Sequence, residues 1–273
     1  MNGVVIGQYI PGTTRVHLLD PRTKLIMTFA YVALVFCARG LVGLSMAAAY
    51  IAGVSIQARI PIKQLLKGLK SLTILITMTA LMNLFFTRTG EPALRLGSLT
   101  ITDMGIRTAV YFAFRLVFLV MGTTMLTLST SPIALTDGLE SLMRPLERIR
   151  FPSHELAMMM SIALRFIPTL MEETDKIMKA QASRGADFES GTIIKRAKSL
   201  VPLLAPLFIS AFRRAADLAL AMESRCYQGG AGRTRLNELR YGRDDALAGL
   251  IMAVMIAATL VERFVFTAWT IKL

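Results

Sequence analysis

Apolar runs of about 13 to 21 residues alternate with polar connections along the 273-residue chain. A helix that crosses a bilayer needs roughly 20 predominantly apolar residues, and five runs approach or reach that length. They are Leu25–Cys37, Leu41–Ile56, Ser71–Phe86, Thr108–Leu128 and Ala246–Val261. The first is short, and we expect it to extend over about Thr23–Ala38. The pattern predicts an all-α membrane protein with about five transmembrane helices.

The middle of the chain, Ser129–Asp245, has a different pattern. Its apolar stretches are shorter and are interrupted by proline or charge, and they predict three helices. These run from Ser131-Pro132, a typical helix start, to about Arg148, from His154 to about Arg184, and from about Gly191 to Arg225. The two longer helices begin apolar and end amphipathic and charged. We expect them to lie at the membrane face or to dip in from one side; the alternative is two ordinary spans of irregular sequence.

Two connections and one charge within a span add detail. Arg59–Lys70 carries four basic residues, and Pro61 is placed to open a short interfacial helix whose lysines extend toward headgroups. The loop Thr87–Arg107 contains a weakly alternating section that predicts a hairpin or a lid. Arg115 falls inside the fourth predicted span, where a charge is costly unless it faces protein or water. The alternative is that Arg115 lies near a helix end and extends to the interface.

Composition supports a membrane protein and indicates its orientation. Mean hydropathy is +0.54, 54% of the residues are hydrophobic, and the formal net charge is +13. With the N-terminus inside, 24 of the 31 Lys and Arg residues lie on the cytoplasmic side: 3 in Met1–Lys24, 4 in Arg59–Lys70 and 17 in Ser129–Asp245. This agrees with the excess of basic residues in cytoplasmic loops. The basic residues form no long run beside aromatic residues, which argues against nucleic-acid binding.

The sequence carries no pattern typical of catalysis, a metal site or a cofactor. Cys37 and Cys226 do not suggest a disulfide framework. The two histidines, His17 and His154, are not part of any cluster with metal-ligand spacing. There is no glycine-rich phosphate loop, so we expect no nucleotide hydrolysis by this chain alone. Met1–Asp20 has no signal-peptide pattern, and we expect the first span to act as the targeting element.

Each of the two long predicted helices ends in the pattern Ser-Arg-small. The two motifs are Ser183-Arg184-Gly185 and Ser224-Arg225-Cys226, and their arginines lie 41 residues apart (225 − 184). A cation is favourable in a last helical turn by about 0.3–1 kcal/mol. Gly185 suits the left-handed conformation that ends a helix, and Gly229-Gly230 follows the second motif closely. Either arginine alone is an ordinary helix-end residue, whereas the pair favours a docking role, because an arginine can enter a groove and pair with a carboxylate.

Methionine is frequent, with 17 residues, and the densest cluster is Met158-Met159-Met160 near the start of the first long helix. Methionine fills irregular gaps and suits surfaces that accept several partners. A lipid-facing or core role is the alternative for any single methionine. The cluster favours an adaptable protein-binding face.

These features together resemble one known family, the transmembrane T component (EcfT) of energy-coupling factor (ECF) transporters. The opening segment GQYIPGTTRVHLLDPRTKL, Gly7–Leu25, is similar to the start of that family, and ASRGAD and ESRCY are similar to its paired arginine signatures. The resemblance covers essentially the whole chain. Ser183 is a departure, because the first signature of the family often begins with alanine. Cys226 is another, because the family often has a small residue at that place in the second signature.

The resemblance implies a non-catalytic coupling subunit that binds neither ATP nor vitamin and needs no cofactor. Two ABC-type ATPases would dock on the arginine motifs, and a small membrane-embedded S component, which binds the vitamin, would contact the chain, with Met158, Met159 and Met160 as the candidate face. It implies a multi-pass protein of the bacterial cytoplasmic membrane with a cytoplasmic coupling region. The expected division is 1–128 for the first four spans, 129–245 for the coupling region and 246–273 for the last span.

Two alternatives stay open. One is a dedicated T component of a cobalt, nickel or biotin importer, because another subunit selects the substrate. The other is a self-sufficient channel or carrier, which would need intramembrane carboxylates or paired broken helices. Among the predicted spans, the sequence offers only Arg115 as a mid-span charge.

Overall fold

The computed structural model describes residues 9–38, 40–70, 72–87, 89, 92–96, 99–186, 188, 192–229 and 238–270. Within these residues the chain has ten α-helices, one 3-10 helix and one two-stranded hairpin. The helices are α1 (Arg15–Leu18), α2 (Pro21–Cys37), α3 (Leu41–Ala58), α4 (Ile62–Lys70), α5 (Thr73–Phe86), α6 (Asp103–Ser129), α7 (Pro132–Met143), α8 (Ser153–Ser183), α9 (Ile193–Glu223) and α10 (Arg243–Thr270). The 3-10 helix is Arg144–Ile149, and the strands are β1 (Pro92–Leu96) and β2 (Leu99–Thr102).

The described residues divide into two compact units. The first lies within Met1–Ser141 and Glu238–Leu273, and the second lies within Leu142–Asn237. The first unit therefore contains all five helices that correspond to the predicted spans, namely α2, α3, α5, α6 and α10. The second unit contains α8 and α9.

The fold class is confirmed: the chain is an all-α membrane protein. By length and hydropathy α6 and α10 can each cross a membrane, and α4 with α5 forms a bent pair that passes the same test as one segment. The section Val42–Ala58 of α3 is apolar but shorter. All five predicted spans are present as helices, and that all five cross the bilayer stays a prediction.

The core of the first unit centres on Tyr31 of α2. Tyr31 is almost fully buried, and its ring stacks on that of Tyr50 of α3 with the centroids 5.1 Å apart. The Tyr31 hydroxyl donates to the carbonyl of Phe118 at 3.1 Å. Gly122 of α6 allows this packing, because a Cβ at position 122 would lie 2.2 Å from a Tyr31 ring carbon. A bulky aromatic ring and a missing side chain thus set how closely α2 approaches α6.

Several local expectations are confirmed. Ser131 caps α7, since its Oγ accepts from the amide of Ala134 at 3.2 Å. The basic segment after Pro61 forms the short helix α4, with Leu65 fully buried and its three lysines exposed, while its place at the membrane interface stays a prediction. The β1–β2 pair is an antiparallel hairpin, while its use as a lid stays a prediction. Arg115 faces protein: one Nη donates to the carbonyl of Phe36 at 2.6 Å, and the guanidinium lies 4.9 Å from the Phe36 ring centroid.

Among the helix boundaries that differ from the prediction, two have clear reasons. The fourth predicted span begins at Asp103 rather than near Thr108, because the Oγ of Thr102 accepts from the amide of Gly105 at 3.1 Å and caps the helix earlier. The helix predicted to reach Arg148 ends at Met143 and continues as the 3-10 helix. Pro145 explains this change, because proline has no amide hydrogen to donate and its ring crowds the preceding helical turn.

The second unit is dominated by α8 and α9, each 31 residues long. Both begin and end within two residues of the predicted bounds. At 1.5 Å per residue each helix is roughly 46 Å long. Both also contain proline inside the helix, Pro168 in α8 and Pro202 and Pro206 in α9.

Candidate docking ends of the two long helices

The two arginine motifs end their helices in the same backbone conformation. Arg184 directly follows the last residue of α8, and Arg225 lies two residues beyond the last residue of α9. The residue after each arginine has a left-handed backbone, with φ +89° at Gly185 and φ +56° at Cys226. A residue in this conformation turns the chain off the helix axis. Each arginine is therefore the last residue before the turn.

The hydrogen bonds at the two ends also match, with a constant offset of 41 residues. The amide of Ala186 donates to the carbonyl of Gln181 at 3.0 Å, and the amide of Tyr227 donates to that of Met222 at 3.0 Å. Inside these lie two bonds that span fewer residues. The amide of Gly185 donates to the carbonyl of Ala182 at 3.0 Å, and the amide of Cys226 donates to that of Glu223 at 2.9 Å. Nested bonds of this kind form the Schellman motif. The two ends are thus structural equivalents despite different sequences.

Gly229, which follows the second motif closely, is not the residue that ends the second helix. Gly229 has φ +93°, but α9 has already ended at the left-handed Cys226, three positions earlier. Gly230 lies outside the described residues. A non-glycine residue in this conformation costs about 1–2 kcal/mol. The second end keeps the geometry of the first at that cost.

All six motif residues are exposed, namely Ser183, Arg184, Gly185, Ser224, Arg225 and Cys226. The serine hydroxyls donate back into their own helices, from Ser183 to the carbonyl of Lys179 and from Ser224 to that of Ala221, both at 3.0 Å. Neither arginine has a hydrogen bond or ion pair to another of the described residues through its side chain. The guanidinium groups are therefore exposed to solvent and make no side-chain bond to the residues that the structure describes.

An ion pair joins the two long helices, and the sequence did not reveal it. The Nη2 of Arg214 on α9 lies 2.9 Å from the Oε2 of Glu173 on α8. The Ser210 hydroxyl, one turn before Arg214, bonds to the same carboxylate and lowers the pKa of Glu173, and Arg214 lowers it further. An open cleft of about 400 Å³ lies beside the pair and is also lined by Thr169, Glu172, Lys176, Ile177 and Ala180.

The methionine cluster lies at the other end of α8 from Arg184. Met159 and Met160 are 54% and 53% exposed, and Met158 is partly buried. The structure therefore does not bring the two candidate contact regions of this helix together. It places them more than 20 residues apart on one continuous α8.

The opening segment forms a second polar cluster, in the first unit. The buried Nζ of Lys24 donates to the carbonyls of His17 at 2.8 Å and Ser129 at 3.1 Å. The carboxylate of Asp245 accepts from the amide of Asp20 at 2.9 Å. These bonds tie the start of α2 to the end of α6 and the start of α10. They explain why the charged residues Asp20 and Lys24 stand at the start of the apolar helix α2.

Comparison with known proteins agrees with this architecture. The sequence model of the CbiQ family, described as cobalt transport protein, matches residues 12–236. The chain is 52% identical over 266 residues to the energy-coupling factor transporter transmembrane protein EcfT of Thermosediminibacter oceani, which covers 97% of this chain and 100% of that protein. The EcfT protein of Acidaminococcus fermentans is 51% identical, over 93% of this chain and 95% of its own length. The EcfT protein of Bacillus subtilis is 46% identical, over 95% of this chain and 98% of its own length.

The chain belongs to the EcfT family. The resemblance that rests on the opening segment and the paired arginines is thereby confirmed. As a member of the EcfT family, the chain is a transmembrane component of an ECF transporter, and its apolar helices agree with a place in the membrane. The residues through which it meets the other components follow from the geometry as proposals.

Proposed function

We propose that this EcfT-family chain is the coupling subunit of an ECF importer. In this role it is non-catalytic: two ABC-type ATPase subunits hydrolyse ATP, and the chain transmits their movement to an S component that carries a vitamin or another micronutrient. The observation that carries the proposal is the equivalence of the two helix ends, each of which presents an exposed arginine whose side chain bonds to no described residue. Two equivalent ends suit two ATPases of similar structure.

The docking residues in this proposal are Ser183, Arg184 and Gly185 at one end and Ser224, Arg225 and Cys226 at the other. The guanidinium provides the binding energy, since it can pair bidentately with a carboxylate in a groove. The left-handed residue that follows turns the chain away and leaves the arginine at the tip. The serine hydroxyls bond to their own helices, so their contribution is to keep the tip compact.

The methionine-rich start of α8 is the proposed contact for the S component. Two of its three methionines expose about half of their surface, and unbranched flexible side chains adapt to different partners. In the proposed orientation the N-terminus and residues 129–245 face the cytoplasm of a bacterial cell. Residues 1–128 and 246–273 then form the membrane part.

A second candidate function is a dedicated importer of cobalt. The description of the matching family model favours this substrate. The two candidates share the same coupling role and differ in the S component that the chain binds.

The test is purification of the tagged chain from its native membranes in mild detergent, followed by mass spectrometry of its partners. Two different ATPases and at least one small membrane protein would support the coupling role. Several small partners would indicate a module shared among vitamins, and a single one a dedicated importer. Recovery of the chain alone, or only with itself, would contradict the proposal and favour a channel or carrier.

A further inference from the structure

The Glu173–Arg214 ion pair has a fixed relation to the two arginine ends. Glu173 lies eleven residues before Arg184, and Arg214 lies eleven residues before Arg225 (184 − 173 and 225 − 214). Eleven helical residues correspond to roughly 16 Å along each axis. The two helices are therefore joined at a point that is equally far from both docking ends.

Few fully buried side chains support this junction among the residues that the structure describes. Among the side chains of α8 and α9 that the structure describes, only Ser153, Ala157 and Leu203 are buried. None of these lies within 10 residues of Glu173 along α8 or of Arg214 along α9. The described side chains thus form no fully buried apolar seam near the ion pair that would fix how far one helix slides along the other.

The pair is suited to fix that position. Glu173 has two partners on α9, Ser210 and Arg214, and they lie four residues apart on one face of that helix. Sliding α8 by one turn, about 5.4 Å, would break both bonds at once. The side chains of Glu173 and Arg214 remain 24% and 41% exposed, so screening by solvent limits what the pair adds to overall stability. Its main effect is therefore on position.

We propose that Glu173 and Arg214 are positioning residues that fix the crossing of α8 and α9 at equal distances from Arg184 and Arg225. This inference rests on the proposed function in one respect, namely that these ends dock on ATPases. A junction equidistant from both ends has a mechanical consequence. A given rotation at the crossing displaces the two arginines by equal amounts, so that two partner subunits move together.

The test measures the spacing of the two ends directly. Spin labels are attached at Lys179→Cys and Leu220→Cys, two exposed positions that are themselves 41 residues apart, in a full-length chain that carries Cys37→Ala and Cys226→Ser. The chain is purified with its partners and placed in lipid nanodiscs. We expect one narrow distance distribution from pulsed electron resonance. Glu173→Gln and Arg214→Met should each broaden it at least twofold.

The chain offers a matched control for each variant. Glu172→Gln and Arg213→Met remove the same charges from exposed neighbouring positions and should leave the distribution narrow. The exchange Glu173→Arg with Arg214→Glu should restore it, because the pair re-forms with reversed charge. An unchanged distribution in both Glu173→Gln and Arg214→Met would overturn the proposal. Broadening that is equal in the controls, or that the exchange does not reverse, would also overturn it.

Co-purifying ATPases are scored in these preparations and also with the unlabelled parent chain, which keeps Cys37 and Cys226, and this separates the inference from the proposed function. If the unlabelled parent chain brings down no ATPase, the docking role fails, while the spacing data still decide whether Glu173 and Arg214 fix the crossing. If the ATPases bind and the spacing is insensitive to the pair, the positioning role alone fails.

Discussion

Arg184 and Arg225 occupy the same place in two copies of one helix-ending motif. Each is followed by a residue with a left-handed backbone. At the first end the amide of Ala186 donates to the carbonyl of Gln181, and at the second the amide of Tyr227 donates to that of Met222, both at 3.0 Å. The sequences around them differ, with Gly185 in one motif and Cys226 in the other. The shared feature is therefore the backbone conformation in which each arginine ends its helix.

The left-handed Cys226 leads to the first prediction. Cys226→Gly should stabilise the end of α9 by about 1 kcal/mol, because glycine adopts positive φ without the steric cost that Cβ brings. Slower amide hydrogen exchange at residues 224–227 would show it. Gly185→Ala is the reciprocal control and should speed exchange at the end of α8. Equal exchange in parent and variant would show that Cys226 is not strained.

The contact between Gly122 and Tyr31 leads to the second prediction. Gly122→Ala should destabilise the first unit by about 1–3 kcal/mol, because the new Cβ overlaps the Tyr31 ring and forces a shift in a packed core. Thermal unfolding in detergent measures the loss. Gly53→Ala is the matched control, since nothing lies within 4 Å of its Cβ position. If both variants unfold at the same temperature, α2 and α6 do not pack as described.

The buried Lys24 leads to the third prediction. Lys24→Met should cost about 1–3 kcal/mol, because the carbonyls of His17 and Ser129 lose their donor in a buried site. Limited proteolysis should then cut the opening segment faster. Lys63→Met on α4 removes an exposed lysine and should behave like the parent chain. Parent-like proteolysis of Lys24→Met would mean that this cluster does not tie α2 to α6.

The sequence predicted the helices well because each depends on local patterns. The bounds of α8 and α9 follow from apolar runs and from the residues that end them, and Ser131-Pro132 marks the start of α7. The Glu173–Arg214 pair could not be predicted in the same way, since it depends on how two helices cross. Its one trace in the sequence is an acid and a base separated by 41 residues, the same separation as the arginines.

The Lys24 cluster shows the same limit. It joins residues more than 100 positions apart, so the periodicity of any one segment carries no sign of it. The sequence also could not show that Cys226, rather than Gly229, is the residue that ends the second helix. Glycine is the usual residue in this position, and only the hydrogen bonds of the last turn show that cysteine takes it.

The most direct test of the central claim is charge reversal at both ends. Arg184→Glu with Arg225→Glu should abolish co-purification of the ATPases, since a carboxylate would replace each guanidinium, while membrane insertion stays normal. Each single variant should retain part of the binding because the other end remains. Arg213→Glu with Arg240→Glu is a control with the same charge change at exposed positions outside the motifs. If the Arg184→Glu, Arg225→Glu chain still brings down both ATPases at the parental yield, the two helix ends are not the docking sites.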